Sequence, residues 1–293
     1  MAHTVGIMSP GDMGHAVGRV LRENGATVVA ALAGRSDGTR DLCNAAGIED
    51  VGNVDVLVER CEVVLSILVP AEAEAAAAVV GDAIGRTRAD VTYVDCNAIS
   101  PGTSKRIAAT IEAAGGRFVD AGIIGGPPRD RDSGTRFPAS GPNATRFEAL
   151  TDYGLKVRVI GDDVGQASGL KMCYAALTKG TSALLIQLLT GARRLGLYDA
   201  LVEELENSQS QRLRQAERSV PGVPAKAHRW VGEMEEIAKT FAEAGLTPKT
   251  YEGAAEIFAM VAASSLGVER PETRDSGRTL EETIRVFAGE AGG

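Results

Sequence analysis

The stretch "GIMSPGDMGH" (6–15) follows a short apolar run, "TVGIM" (4–8), and opens a segment of helix-forming residues. Gly11 and Gly14 keep two glycine positions of the spacing G-x-G-x-x-G, and Ser9 stands at the first. A chain turning from strand into helix beside a pyrophosphate needs one residue without Cβ where the backbone nears the anion. It needs another where the helix packs on the strand. The helix start supplies unpaired N–H groups and a positive dipole end. The spacing predicts a phosphate-binding loop made of Ser9, Pro10, Gly11, Asp12, Met13 and Gly14, on condition that Ser9 keeps a negative φ.

The surrounding chain supplies the context this loop requires. The runs at 4–8, 27–33, 61–69, 91–96, 117–122 and 155–161 are short and mostly continuous in apolar character, as buried parallel strands are. Helix formers fill 12–24, 71–85 and 101–114, and Gly25 and Gly115 follow two of these segments. Strand and helix alternating at this spacing imply right-handed crossovers and a doubly wound sheet. From about residue 163 the strand pattern stops, and helical periodicity runs through 164–197, 198–217, 224–245 and 249–267. The expected architecture is an α/β Rossmann N-terminal domain over 1–163 with an all-α C-terminal domain over 164–293. Residues 268–280 are expected to be a mobile connection before a last short helix.

Composition excludes several classes. With 293 residues, 44% of them hydrophobic and 24% charged, the chain can bury a core large enough for two domains. No basic and apolar leader opens it, and no uninterrupted apolar run reaches the roughly 18 residues of a membrane span, so the expectation is a cytoplasmic protein without a membrane partner. Four scattered cysteines and three histidines give neither a disulfide framework nor a metal site. A net charge of −8 without a basic face argues against nucleic acid.

Cofactor choice is written at the end of the second strand, where an Asp or Glu would accept hydrogen bonds from the ribose of NAD. This chain reads "ALAGRSDGTRD" there, with Arg35 and Ser36 at the strand end and Arg40 beyond. A guanidinium forks onto a phosphate, so NADP is favoured over NAD, with Asp37 as the opposing sign.

Four ordered motifs resemble the β-hydroxyacid dehydrogenases, the family of 3-hydroxyisobutyrate, tartronate semialdehyde and 6-phosphogluconate dehydrogenases. "VGIMSPGDMGHAVGRVLRENG" (5–25) is similar to its G-x-G-x-M-G opening and "DCNAISP" (95–101) to its D-x-S-T-x-x-P element at the nicotinamide. "DAGIIGGPP" (120–128) is similar to its substrate segment D-A-P-V-S-G-G, and "GQASGLKMCYA" (165–175) to its catalytic G-x-G-x-x-x-K-x-x-N-N. The tail looks most like a 6-phosphogluconate dehydrogenase-like subgroup with a variant C-terminal domain. The resemblance implies a long interdomain helix and a homodimer sharing its helical domains. It implies Lys171 as the proton relay to a small-molecule substrate, Asn97 as a catalytic and cofactor-binding residue, and Leu68 and Val69 against the cofactor. A lysine beside a cofactor suits that role, because desolvation makes an ammonium a better proton donor near neutral pH.

The match departs at three places. Ala175 stands where the family has asparagine, and helical spacing puts Lys171, Tyr174 and Thr178 on one face, so the phenol and hydroxyl can replace the amide. Ile123 and Ile124 replace the family's valine and serine, while Gly125 and Gly126 still let backbone N–H groups approach an anion. "GEMEEIA" (232–238) stands where the family often has a Lys-Asp pair, so that supporting contact is expected to be missing. A less polar or bulkier substrate is expected, with Trp230, Met234 and His228 at its far wall. The leading reading is an NADP-dependent oxidoreductase interconverting hydroxyl and carbonyl through Lys171. An imine reductase is the nearest alternative, kept by Tyr174 and Ile123–Ile124 but opposed by the lysine. A non-catalytic NADP sensor would need the glycine loop and no proton donor.

Overall fold

In this computed structural model, residues 3–271 and 273–290 are described. The chain divides into two compact units, one ending at Met172 and the other beginning at Cys173. In the first unit the strands are β1 (Thr4–Met8), β2 (Thr27–Ala30), β3 (Glu49–Asp50), β4 (Val63–Ser66), β5 (Thr92–Asp95), β6 (Arg117–Ala121), β7 (Phe137–Ser140) and β8 (Val157–Gly161). They form one sheet in the order β3-β2-β1-β4-β5-β6-β7-β8. All pairings are parallel except β6 with β7.

Alternation along the strands builds two cores. Val5, Ile7, Val63, Leu65, Val94 and Val119 face one side, against α1 (Asp12–Glu23), α2 (Asp37–Ala46) and α6 (Ala144–Glu148). Met8, Val64, Tyr93 and Phe118 face the other, against α3 (Val54–Arg60), α4 (Ala73–Thr87) and α5 (Pro101–Ala113). A sheet covered on both faces explains why the central strands read as unbroken apolar runs. The close helix-to-strand contact predicted at Gly14 is tighter one turn later. A Cβ on Gly18 would lie 2.7 Å from Ile48 and 2.8 Å from Ile7, against 3.3 Å from Ile7 at Gly14.

Several boundaries differ from the expected ones. The second and fourth strands end at Ala30 and Ser66, short of 33 and 69. The run 155–161 is not a buried strand but the half-exposed sheet edge β8.

The second unit holds the rest of α7 (Gln166–Arg194), then α8 (Tyr198–Ser208), α9 (Ser210–Ser219), α10 (Pro224–Glu243), α11 (Lys249–Ala263) and α12 (Leu280–Ala288). The segment 198–217 is two helices, broken at Gln209, and a capping box of Thr279 and Glu282 starts α12. By length and composition alone α7 is apolar enough to cross a membrane. The linear reading found no such run because Lys171 and Lys179 interrupt it. Nearly half of its most apolar stretch is buried inside the protein, as occurs in core helices.

Candidate active site

The C-terminal ends of the central strands place Met8, Ser66, Asp95 and Asp120 in register, with Ser140 of β7 opposite Asp120. The loops leaving β1, β4, β5 and β6 therefore gather at one edge of the sheet. Winding reverses between β1 and β4, and open α/β sheets bind ligands at such a point.

The loop after β1 turns on Ser9, whose φ is +54°. This corrects the expectation of a negative φ. The reversal from strand to helix needs a left-handed residue, and Ser9 adopts that conformation where the glycine pattern would avoid its cost. The Gly11 N–H donates to the Ser9 carbonyl at 2.7 Å, and the Gly11 carbonyl accepts the His15 N–H at 2.9 Å, starting α1. A Cβ built on Gly11 meets nothing within 4 Å, so this side of the turn is open. Pro10 and Gly14 are buried, Met13 is half-buried against the core, and Asp12 is exposed in the first turn of α1. An open glycine at the start of the twelve-residue helix α1 fits a dinucleotide pyrophosphate.

Beyond β2, Arg35 and Ser36 are exposed. Ser36 caps α2 by accepting the Thr39 N–H at 3.3 Å. Arg40 is committed elsewhere, donating to the Leu32 carbonyl at 2.6 Å and to Asp50 at 3.3 Å. Asp50, which the sequence reading missed, also accepts the Gly52 and Leu32 N–H groups, and these bonds with Arg40 hold its carboxyl below the usual range. No carboxylate stands between Ala31 and Gly34.

Asn97, after β5, is almost fully buried. Its Oδ1 accepts the Leu68 N–H at 2.5 Å, and its Nδ2 donates to Ser66 and to Asp95, each at 3.0 Å. The amide thus ties the end of β4 to the end of β5. Leu68 is half-buried and Val69 is exposed. Burial pushes the Asp95 carboxyl up to about 7.

After β6 the segment 122–126 crosses the same edge. Ile123 and Ile124 are buried, Ile123 within the sheet core and Ile124 bridged to Arg136. Expected as substrate-binding residues, both have their apolar side chains taken up by the fold instead. Gly125 and Gly126 are exposed. Asp120, also missed, is fully buried and accepts hydrogen bonds from Ser104, Ser140, Gly165, Ala167 and Ser168. Lys171 lies half-buried on the second turn of α7. A Cβ on Gly122 would stand 2.9 Å from the Lys171 Cβ.

In the helical unit, Tyr174 is 45% exposed and Ala175 is fully buried. The Thr178 hydroxyl turns back to the Tyr174 carbonyl at 3.3 Å. Met234 has no exposed surface, so it is core rather than substrate wall. Trp230 packs edge-on against Phe258 at 5.1 Å with the Lys179 ammonium 5.3 Å from its ring centroid. Lys179 of α7 pairs with Glu233 at 2.8 Å, while the segment 232–238 itself holds neither the lysine nor the aspartate of the family's pair. His228 is largely exposed, and partial desolvation of its ring, with the charges of Arg229 and Arg270 nearby, lowers its pKa.

Comparison with known proteins matches residues 4–153 to the NAD binding domain of 6-phosphogluconate dehydrogenase and residues 192–261 to a domain of unknown function, DUF1932. An uncharacterized 28.5 kDa protein of Methanothermus fervidus is 29% identical over 245 residues, 83% of this chain and 93% of that protein. A conserved protein of unknown function, described as structurally similar to 3-hydroxyacid dehydrogenases, is 35% identical. The match covers 88% of this chain and 96% of that one, with a TM-score of 0.67. The 3-hydroxyisobutyrate dehydrogenase of Mycobacterium tuberculosis shares the fold at a TM-score of 0.70 over 97% of this chain and 99% of its own, at 18% identity.

Proposed function

The chain belongs to the family carrying the NAD binding domain of 6-phosphogluconate dehydrogenase, and we propose that it is an NADP-dependent oxidoreductase interconverting a hydroxyl and a carbonyl, with Lys171 as proton relay. The observation that carries this reading is Lys171 itself. It is half-buried one turn into α7, in the segment "GQASGLKMCYA", with its stem against the chain leaving β6. The residues Ser9 to Gly14 and the start of α1 would hold the pyrophosphate, and Arg35 with the capped start of α2 would hold a 2′-phosphate. Leu68 and Val69, with the β4 loop fixed by Asn97, would line the nicotinamide side. When bound, the nicotinamide supplies or takes up the hydride. Lys171 delivers its Nζ proton to the substrate oxygen in reduction and recovers it in oxidation. The exposed backbone of Gly125 and Gly126 offers N–H groups to an anionic part of the substrate.

An NADPH-oxidation screen across aldehydes, ketones, 3-keto acids and imines tests the reading. On the carbonyl compound reduced fastest, Lys171→Ala should keep NADPH affinity within about twofold and lower turnover by roughly 10²–10⁴-fold, the contribution of a positioned acid–base group. Full activity in this variant would end the proposal. The exposed Tyr174 phenol favours one second reading, an imine reductase. Turnover of imines alone, with a larger loss in Tyr174→Phe than in Lys171→Ala, would select it.

A further inference from the structure

Asp120 and Gly122 touch the lysine-bearing helix in two ways that the proposed chemistry does not itself require. Asp120 is fully buried at the end of β6, and six donors converge on its carboxylate. Oδ2 accepts the N–H groups of Gly165 at 2.9 Å, Ala167 at 3.0 Å and Ser168 at 3.1 Å, together with the Ser140 hydroxyl at 2.9 Å. Oδ1 accepts the Ser104 hydroxyl at 2.9 Å and the Ser168 hydroxyl through a short bond. Three of these donors are backbone groups at the start of α7, which have no partner within the helix; the Ala167 N–H is shared with the Ser140 hydroxyl at 3.0 Å. The carboxylate also faces the positive end of that helix. Bonds to successive N–H groups fix the axial position of the helix, and the bond to the Ser168 side chain fixes its rotation. Lys171 is three residues further on, on the neighbouring face.

Gly122 adds the second contact. Its N–H donates to the Pro138 carbonyl at 3.0 Å, which pins it to β7. A Cβ there would approach the Lys171 Cβ to 2.9 Å and Cγ to 3.3 Å, closer than real Cβ contacts allow without a shift. The family pattern D-A-P has a proline at this position, which could neither donate that bond nor leave that space.

We propose that Asp120 and Gly122 are positioning residues that set where the Lys171 amine stands, Asp120 by anchoring the first turn of α7 and Gly122 by admitting the lysine stem. The proposal rests on Lys171 as proton relay for its kinetic consequence, and on geometry alone for its effect on the amine. The informative variant is Gly122→Ala, because it keeps the N–H and adds only the methyl group. Using the carbonyl compound reduced fastest in the screen above, kcat should fall by about a hundredfold, as expected for a displacement near 1 Å, while KM and NADPH affinity stay within about twofold. In the cofactor-free protein, the rate at which acetic anhydride labels Lys171, read by mass spectrometry, should change at least threefold. Labelling of the exposed Lys249 should not change. Ser168→Ala, which removes one donor from Asp120, should produce smaller changes of the same kind, and it carries the test if Gly122→Ala does not fold. A Gly122→Ala protein with lower melting temperature but unchanged kcat and unchanged Lys171 labelling would overturn the proposal, making both residues structural only. If Lys171→Ala keeps full activity, the relay reading fails by itself. The labelling rates then still decide whether residues 120–122 position the amine.

Discussion

Ser9 and Arg35 carry the two most local questions. A non-glycine residue in the left-handed region costs about 1–2 kcal/mol, and part of any gain on removing the side chain is lost to the greater freedom of glycine in the unfolded chain. Ser9→Gly should therefore stabilise the protein by about 1 kcal/mol in urea titration; a loss of stability would mean that the hydroxyl makes a compensating contact. Arg35 is exposed beside the capped start of α2, and the proposed NADP preference rests on it. Arg35→Ala should erase at least about 1.4 kcal/mol, a tenfold ratio, of a preference for NADPH over NADH. Equal affinities in the unaltered protein would remove the basis for NADP. The turn from β1 into α1 was legible because its glycine spacing announces it, and Arg35 and Lys171 could be singled out as candidates because each is marked by type and spacing. Asp50 and Asp120 were not, because a carboxylate that accepts backbone N–H groups from distant segments has no local signature. Met234 and the Ile123–Ile124 pair were misread for the opposite reason. An apolar residue near a site motif looks the same in sequence whether it faces a ligand or the core.

Elements were legible where burial was two-sided. The strands of the central sheet stand out as apolar runs, but β3 is two charged residues at one edge, and β7, containing Pro138, enters antiparallel through the turn-rich segment after Gly126. The short helices α2 and α3 were also missed, since each buries only two residues. What the linear pattern could not show is how element ends are tied together. Asn97 joins the loops after β4 and β5, and Asp95 beneath it is raised from an ordinary 3.8 to about 7, chiefly by burial, with bonds from Asn97 opposing the shift and the Asp120 charge adding to it. Between these two values the folded protein holds a proton that the unfolded chain has released. The stabilisation is complete below pH 3.8 and is lost as pH rises through 7. Subtracting the unfolding free energies of Asp95→Asn from those of the unaltered protein should leave a difference that falls with rising pH across this window, approaching about 1.4 kcal/mol per pH unit. A flat difference would show that Asp95 is ionised in the folded state.

The assembled molecule raises the question of what covers the helical unit. Leu177 and Leu184 lie seven residues apart on α7, two helical turns along one face, and are 65% and 59% exposed. They line a groove of about 690 Å³ with Tyr251, Ile257 and Met260 of α11. Two large apolar side chains fixed on a rigid helix beside a further apolar wall form a patch of the sort monomeric proteins seldom leave in water, and a two-fold partner is the commonest cover. The run 170–189 is strongly apolar in sequence, but only the folded unit separates the leucines that face the groove from Ile186 and Leu189, which are buried. Light scattering at micromolar concentration should therefore give the mass of a homodimer. Leu177→Glu combined with Leu184→Glu should give a monomer of unchanged far-ultraviolet circular dichroism, because both side chains project from an already formed helix and their replacement leaves the buried contacts of α7 intact. A double variant that remains dimeric would move the interface to another face, and an unaltered protein that is monomeric throughout the micromolar range would end the dimer proposal.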